Sequence, residues 1–180
     1  NIVVGTCTRS KDFPTLNPIQ PILSSGLEGC IFKLDRHLSN IIWSTYFGGS
    51  GDDCIYSVDF NRNNDIVFGG GTTSSDLNTT PSAFQQSYNS PNALSPDGFI
   101  TTIDNNADSI LFSTYFGTDL YDQVFFIDVT KNDQVHVLGQ TNDTSNFFIK
   151  NSTISTQKSG QFISTLSSSL SSLIRSSAVG

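Results

Sequence analysis

Ile42-Trp43-Ser44-Thr45-Tyr46-Phe47-Gly48 returns as Leu111-Phe112-Ser113-Thr114-Tyr115-Phe116-Gly117, 69 residues further along the chain. Working outward at the same offset, Gly29-Cys30-Ile31-Phe32-Lys33-Leu34-Asp35 matches Gly98-Phe99-Ile100-Thr101-Thr102-Ile103-Asp104. Downstream, Tyr56 to Asp59 matches Phe125 to Asp128, and Asp65 to Phe68 matches Gln134 to Val137. Four apolar stretches recur in one order at one spacing, the signature of a repeat architecture. The ends carry partial copies. Asn1 to Thr8 matches Asp65 to Thr72, Phe162 to Leu166 matches Phe99 to Ile103, and Leu173-Ile174 with Ser176-Ser177 matches Ile110-Leu111 with Ser113-Thr114.

Each stretch is rich in Ile, Val, Phe, Tyr and Thr and is bounded by Gly, Asn, Asp or Ser, which reads as a β-strand. Turns of hairpin length, such as Arg36 to Asn40 and Asn61 to Asn64, separate the first strand from the second and the third from the fourth. With the strands lettered a to d, the chain reads d, a-b-c-d, a-b-c-d, a-b, eleven strands in all. A four-stranded antiparallel meander joined to the next by a longer connection is the unit of a β-propeller blade. The expectation is an all-β fold forming a partial propeller of under three blades. Residues 1–28 would hold an outer strand d with a connection, 29–97 and 98–159 one full blade each, and 160–180 the first two strands of a further blade. The connection at about residues 73–97 contains Ala83-Phe84, which reads as a helical turn packed back on the blade. Such an arc is expected to leave an unpaired edge on its last strand b. It would need further chain, a second copy or a binding partner beside it.

Composition supports the class. Of 16 acidic residues 15 are Asp, Met is absent and charged residues make up 14%, so strong helix formers are scarce and turn formers abundant. The net charge of −7 argues against a nucleic-acid groove or an anionic membrane surface, both of which need clustered Lys and Arg. No apolar run reaches the length of a membrane-spanning helix.

The blocks Ser44 to Asp53, Gly70 to Thr72, Asp12-Phe13-Pro14-Thr15 and Thr80 to Gln85 resemble the bacterial SBBP repeat, named for seven-bladed β-propellers. The second copy departs from it, with Thr118-Asp119-Leu120-Tyr121-Asp122 where the repeat has Gly-Ser-Gly-Asp-Asp. The resemblance implies a propeller in a secreted or surface-exposed bacterial protein, and no single activity.

The chemistry-bearing residues are few. Asp52 and Asp53, with Asp119 and Asp122 in the matching loop, offer hard oxygen ligands beside flexible Gly carbonyls, which suits Ca2+. The competing and expected reading is a solvated turn whose carboxylates cap local N–H groups. A glycosidase needs two converging carboxylates. Asp35 and Asp104, and Asp59 and Asp128, recur in both copies and so are expected to serve the strand ends instead. His37 and His136 stand apart, and Gly69-Gly70-Gly71 lacks the following Lys of a phosphate loop and reads as close packing or a bulge. No catalytic, cofactor-binding or metal residue is therefore assigned. Cys7, Cys30 and Cys54 lack metal spacing. Cys30 on strand a and Cys54 on strand c would stand about 9.6 Å apart across strand b, beyond disulfide reach, so all three are expected as free thiols. Asn78, Asn142 and Asn151 head formal N-glycosylation triplets, and Asp108-Ser109-Ile110 resembles a bacterial O-glycosylation acceptor.

The expected function is a non-catalytic propeller segment of a secreted or cell-surface bacterial protein, associated with the outer membrane and serving as scaffold or binding and adhesion module. The expected partners are another protein chain or missing parts of the same propeller, and a glycan or other surface ligand, with no nucleic acid, no membrane insertion and no cofactor. The alternatives are part of an enzyme acting on polysaccharide, or an adaptor in a cell-envelope or secretion complex.

Overall fold

A computed structural model describes residues 1–24, 26–91, 95–145, 148–156 and 159–180. It contains the eleven expected strands: β1 (Ile2–Thr8), β2 (Glu28–Leu34), β3 (Ile41–Phe47), β4 (Asp53–Phe60), β5 (Ile66–Thr72), β6 (Asp97–Ile103), β7 (Ile110–Phe116), β8 (Asp122–Val129), β9 (Val135–Thr141), β10 (Gln161–Leu166) and β11 (Leu173–Val179). The described residues form no helix. The chain is all-β, with three antiparallel sheets ordered β1-β2-β3, β4-β5-β6-β7 and β8-β9-β10-β11.

These sheets divide the repeat differently from the expected a-b-c-d meander. Strand b does not turn back to pair with c. It ends one sheet, and c opens the next, so the pairing unit is c-d-a-b. The long connection between β5 and β6 lies within the second sheet, because Ile66 to Thr72 pair without a register break against Ile103 to Asp97. Residues 160–180 accordingly complete the third sheet, while β1 joins β2 and β3.

Sheet stacking repeats as the sequence does. β4 packs across β1 and β2, and β8 packs across β5 and β6. Two apolar cores result. One gathers Ile31, Trp43, Phe47, Ile55, Phe68, Phe99 and Tyr115 between the first and second sheets. The other gathers Ile100, Phe116, Val124, Ile127, Phe148 and Phe162 between the second and third. Strands β5 and β6 are buried along their whole length, as strands covered on both faces must be. The aromatic residues of the opening motif fall on β3 and β7, where Trp43, Tyr46, Phe47, Tyr115 and Phe116 are buried.

One position decides how closely a sheet can be approached. Gly69 lies beneath β8, and a Cβ there would stand 2.8 Å from Ile127 Cδ1 and 2.7 Å from the Phe99 carbonyl oxygen. Gly5 holds the same place beneath Ile55 and Val58 of β4. In the third sheet the place belongs to Leu138, 39% exposed, and its cross-strand partner Ile163 is 49% exposed.

The strand-b edges are covered. Leu16 and Gln20 run along β3, with Ser44 N donating to Leu16 O at 2.9 Å and Tyr46 N to Gln20 O at 3.1 Å. Thr80 and Gln85 do the same along β7, and Lys150 and Thr156 along β11. The bare edge expected on the last strand b is therefore absent, because each connection lies down as a partial extra strand and satisfies the exposed groups. The Ala83-Phe84 segment is a turn, Ala83 N donating to Thr80 O at 3.0 Å, and not a helical one. It does pack back: Phe84 meets Phe116 with ring centroids 5.9 Å apart.

Candidate functional site

The two b-to-c crossings, Gly48–Asp52 and Gly117–Tyr121, bring acidic residues together at the inter-sheet junctions. At the first, Glu28 opens β2 and Asp53 opens β4, and both are buried. A Cβ on Gly48 would meet both carboxylates, so only glycine fits between them. Asp53 Oδ1 accepts from Thr72 Oγ1 at 2.5 Å, and its Oδ2 accepts from Gly49 N and Ser74 Oγ, each at 2.8 Å. Glu28 accepts from Ser24 N at 2.5 Å and from Gln20 Nε2, while Gln20 Oε1 accepts from Gly48 N at 3.1 Å. Burial pushes Asp53 up to about 6, with the Glu28 charge adding to the rise and the three hydrogen bonds resisting it.

The second junction repeats this with fewer donors. Asp97 and Asp122 have no exposed surface. Gln85 stands where Gln20 does, its Nε2 reaching Asp97 Oδ2 at 3.4 Å and its Oε1 accepting from Gly117 N at 3.0 Å. Asn89 N adds a 3.0 Å bond to Asp97 Oδ2. Asp122 Oδ2 accepts from the backbone and hydroxyl of Thr118, both at 2.6 Å. Asp143 replaces Ser74, so the hydroxyl donor of the first junction becomes a carboxylate here. Asp97 Oδ1 and Asp122 Oδ1 make no hydrogen bond; the Thr141 hydroxyl is near enough to favour the Asp122 charge without completing a well-formed one. Burial pushes Asp97 up to about 7, with Asp122 adding to the rise, and burial likewise raises Asp122, with Asp143 adding.

This geometry separates the sequence candidates. Asp53 is spent on internal donors, and Asp52 Oδ1 accepts from Leu27 N at 3.2 Å, so the pair caps the crossing. Asp119 is exposed while Asp122 is buried, so these two do not converge on solvent. Among the described residues no three His, Cys, Asp or Glu side chains come together to hold a metal ion. Asp35 caps its own turn, accepting from His37 N at 2.9 Å and Ser39 N at 3.0 Å; the Ser39 bond leads in holding its carboxyl below the usual range. Asp104 does the same for Asn106 and Ser109. Asp59 reaches the next sheet, its Oδ2 accepting from Val129 N at 2.6 Å, whereas Asp128 is exposed. His37 pairs with Arg36 in an exposed turn, and His136 lies within β9 beside Leu138. The three glycines 69–71 lie opposite the β4 bulge between Ile55 and Ser57, as close packing requires. Of the glycosylation triplets, Asn78, Asn142 and Asn151 are exposed, and Asn151 Nδ2 is held by Ile174 O at 2.9 Å.

The cysteine expectation is overturned for two of the three. Cys7 of β1 and Cys54 of β4 form a disulfide that ties the first sheet to the second. The error came from placing strand c within the sheet of a and b; because c opens the next sheet, Cys54 stacks over Cys7. The signal was in the repeat, where these positions are Gly71 and Gln123, and Gln123 lies directly over Gly71. Cys30 is free and buried, as expected, and burial pushes its thiol up to about 11.

No known protein-family profile and no curated protein sequence matches the chain.

Proposed function

We propose that these residues form an arc of a β-propeller of the SBBP-repeat kind, serving as a non-catalytic scaffold or binding module in a secreted or surface-exposed bacterial protein. The observation that supports it is that one inter-sheet junction is built twice, β4 over β1 and β2, then β8 over β5 and β6, with Gly48, Asp53 and Thr72 of the first recurring as Gly117, Asp122 and Thr141 in the second. A constant step from sheet to sheet is what propels a sheet array around an axis. The junction acids Glu28, Asp53, Asp97 and Asp122 favour scaffold over enzyme. They lie in the junctions with 0–1% exposure, where a substrate cannot reach them. A disulfide between sheets fits a compartment outside the reducing cytosol, and an outer-membrane surface is one such place.

Electron microscopy of the full parent protein tests the architecture, and protease shaving of intact cells tests the location. A ring of sheets around a central axis and loss of the protein from shaved cells are the expected results. An open stack, a cytosolic protein, or cleavage of a polysaccharide by the purified protein would overturn the corresponding part. Screening the parent against cell-surface glycans and proteins tests the binding role, which fails if nothing is retained.

A further inference from the structure

A pocket of ≈ 230 Å3 lies between the three sheets, its walls drawn from residues 27 to 123. Leu27 stands just before β2 and Pro96 just before β6; Asp52 leads into β4, Tyr56 lies on it, Thr73 follows β5 and Gln123 lies on β8. The residues that build the junctions recur from one copy to the next, as Gly48 and Thr72 do in Gly117 and Thr141. These wall positions do not. At the repeat offset of 69, Asp52 becomes Tyr121, Tyr56 becomes Phe125 and Thr73 becomes Asn142. The same sheet forms with either set, so the fold does not dictate the polar groups of this wall.

Asp52 is exposed. Its Oδ1 accepts from Leu27 N at 3.2 Å, and its Oδ2 enters no hydrogen bond among the described residues. Thr73 Oγ1 accepts from Asp52 N at 2.8 Å and holds the backbone beneath that carboxylate. The Tyr121 hydroxyl donates to Gln123 Oε1 at 2.9 Å, which commits the amide oxygen and leaves its N–H groups as donors. Burial raises the Tyr56 pKa and the Gln123 amide resists the rise, so the two side chains lie side by side. The wall thus sets an acceptor, the Asp52 carboxylate, against donors from Gln123 and Tyr56, with Leu27 and Pro96 as apolar surface. No lining residue is Lys, Arg or His. An anion would meet a carboxylate with no cation beside it, in a chain of net charge −7. An ammonium carries donors only and would face the Gln123 N–H groups, donors themselves. Two neighbouring hydroxyls, one donating and one accepting, match both sides of the wall. The apolar residues suit the C–H face of a pyranose, and the volume suits one ring.

We infer that this pocket is a binding site for a neutral pyranose, with Asp52 accepting from one ring hydroxyl and Gln123 and Tyr56 donating to its neighbour. This rests on the proposed binding role and names its ligand class. The bond to Asp52 is charge-assisted and so carries more of the affinity than either neutral one.

The test is titration of the full chain with the methyl glycosides of D-glucose, D-mannose and D-galactose, followed through the side-chain amide resonances of Gln123. Expected are saturable shifts with at least one glycoside, with affinity weakened about tenfold or more in Asp52→Asn and about three- to tenfold in Tyr56→Phe. Tyr56→Phe installs the residue of the other copy and keeps the ring stack on Phe125, so an unchanged melting temperature shows that the fold survives. Undiminished binding in either variant would overturn the hydroxyl-pair geometry. Methylammonium saturating more tightly than every glycoside would overturn the neutral class, and glycerol binding at the same affinity would overturn the pyranose. No saturable shift with any of the three glycosides would overturn the site altogether, while leaving the broader binding role to the surface-ligand screen.

Discussion

The Tyr115 hydroxyl donates to the Ser74 carbonyl at 2.8 Å, across 41 residues of chain. It also accepts from Leu77 N at 2.9 Å, so one phenol anchors the start of the long connection onto strand β7. The first copy has the same device, with Tyr46 donating to Ser10 O at 2.7 Å. Tyr115→Phe leaves a buried N–H and a buried C=O unpaired and should cost about 2–3 kcal/mol; Tyr46→Phe frees groups of Ser10 and Phe13 that solvent can reach and should cost about 1. Urea denaturation of the two variants checks the order, and a smaller loss for Tyr115→Phe would contradict the anchor.

Intact mass under denaturing, non-reducing conditions should show the loss of two hydrogens from the Cys7–Cys54 bond. The double variant Cys7→Ser, Cys54→Ser should be less stable by about 2–4 kcal/mol, as expected for a loop of this length. Cys30 should resist alkylation in the folded chain near neutral pH, because burial holds its thiol up at about 11.

Stability should fall as pH rises through neutrality. Asp53 and Asp97 hold their protons up to about 6 and about 7 in the folded chain, against an ordinary value of about 3.9 when unfolded. The folded state therefore binds more protons between these limits. The stabilisation is complete below about pH 4 and is lost as pH climbs through the folded values. Thermal melts should show a loss of roughly 2–4 kcal/mol between about pH 5 and pH 8. Asp97→Asn should flatten most of it, and an unaltered slope would remove Asp97 as the source.

Leu38 adopts a left-handed backbone, φ 59°, while its side chain is 63% exposed. Leu38→Gly should stabilise by about 1 kcal/mol, since the strain goes and little burial is lost. At the corresponding turns Ala107 and Leu170 share this backbone but are buried. Leu170→Gly should therefore destabilise, and chemical denaturation that ranks the two glycine variants the other way would refute the account.

Strand positions were legible because each strand carries its own evidence: Trp43 to Phe47 and Phe112 to Phe116 read as strands wherever they occur. Which strands share a sheet was not. A five-residue link between b and c suggests neighbours, and a two-dozen-residue link between d and a suggests separation. The outcome is reversed by bonds between distant segments, such as Ser50 N and Oγ to Asp76 Oδ1 at 2.8 and 3.0 Å and Gly51 N to Ser74 Oγ at 2.8 Å. No local propensity reports these. The disulfide was lost with the same mistake.

Leu138 has a consequence for assembly. A fold whose leading strand docks on a complementary trailing face can in principle add units without limit, and head-to-tail contacts that do not close grow into filaments. Gly5 and Gly69 leave room for that docking; Leu138 fills it with a branched side chain. A further leading strand approaching the third sheet at the same depth would strike Leu138 before reaching Ile163. A strand that docks on this face therefore has to stand further off than β4 and β8 stand from theirs.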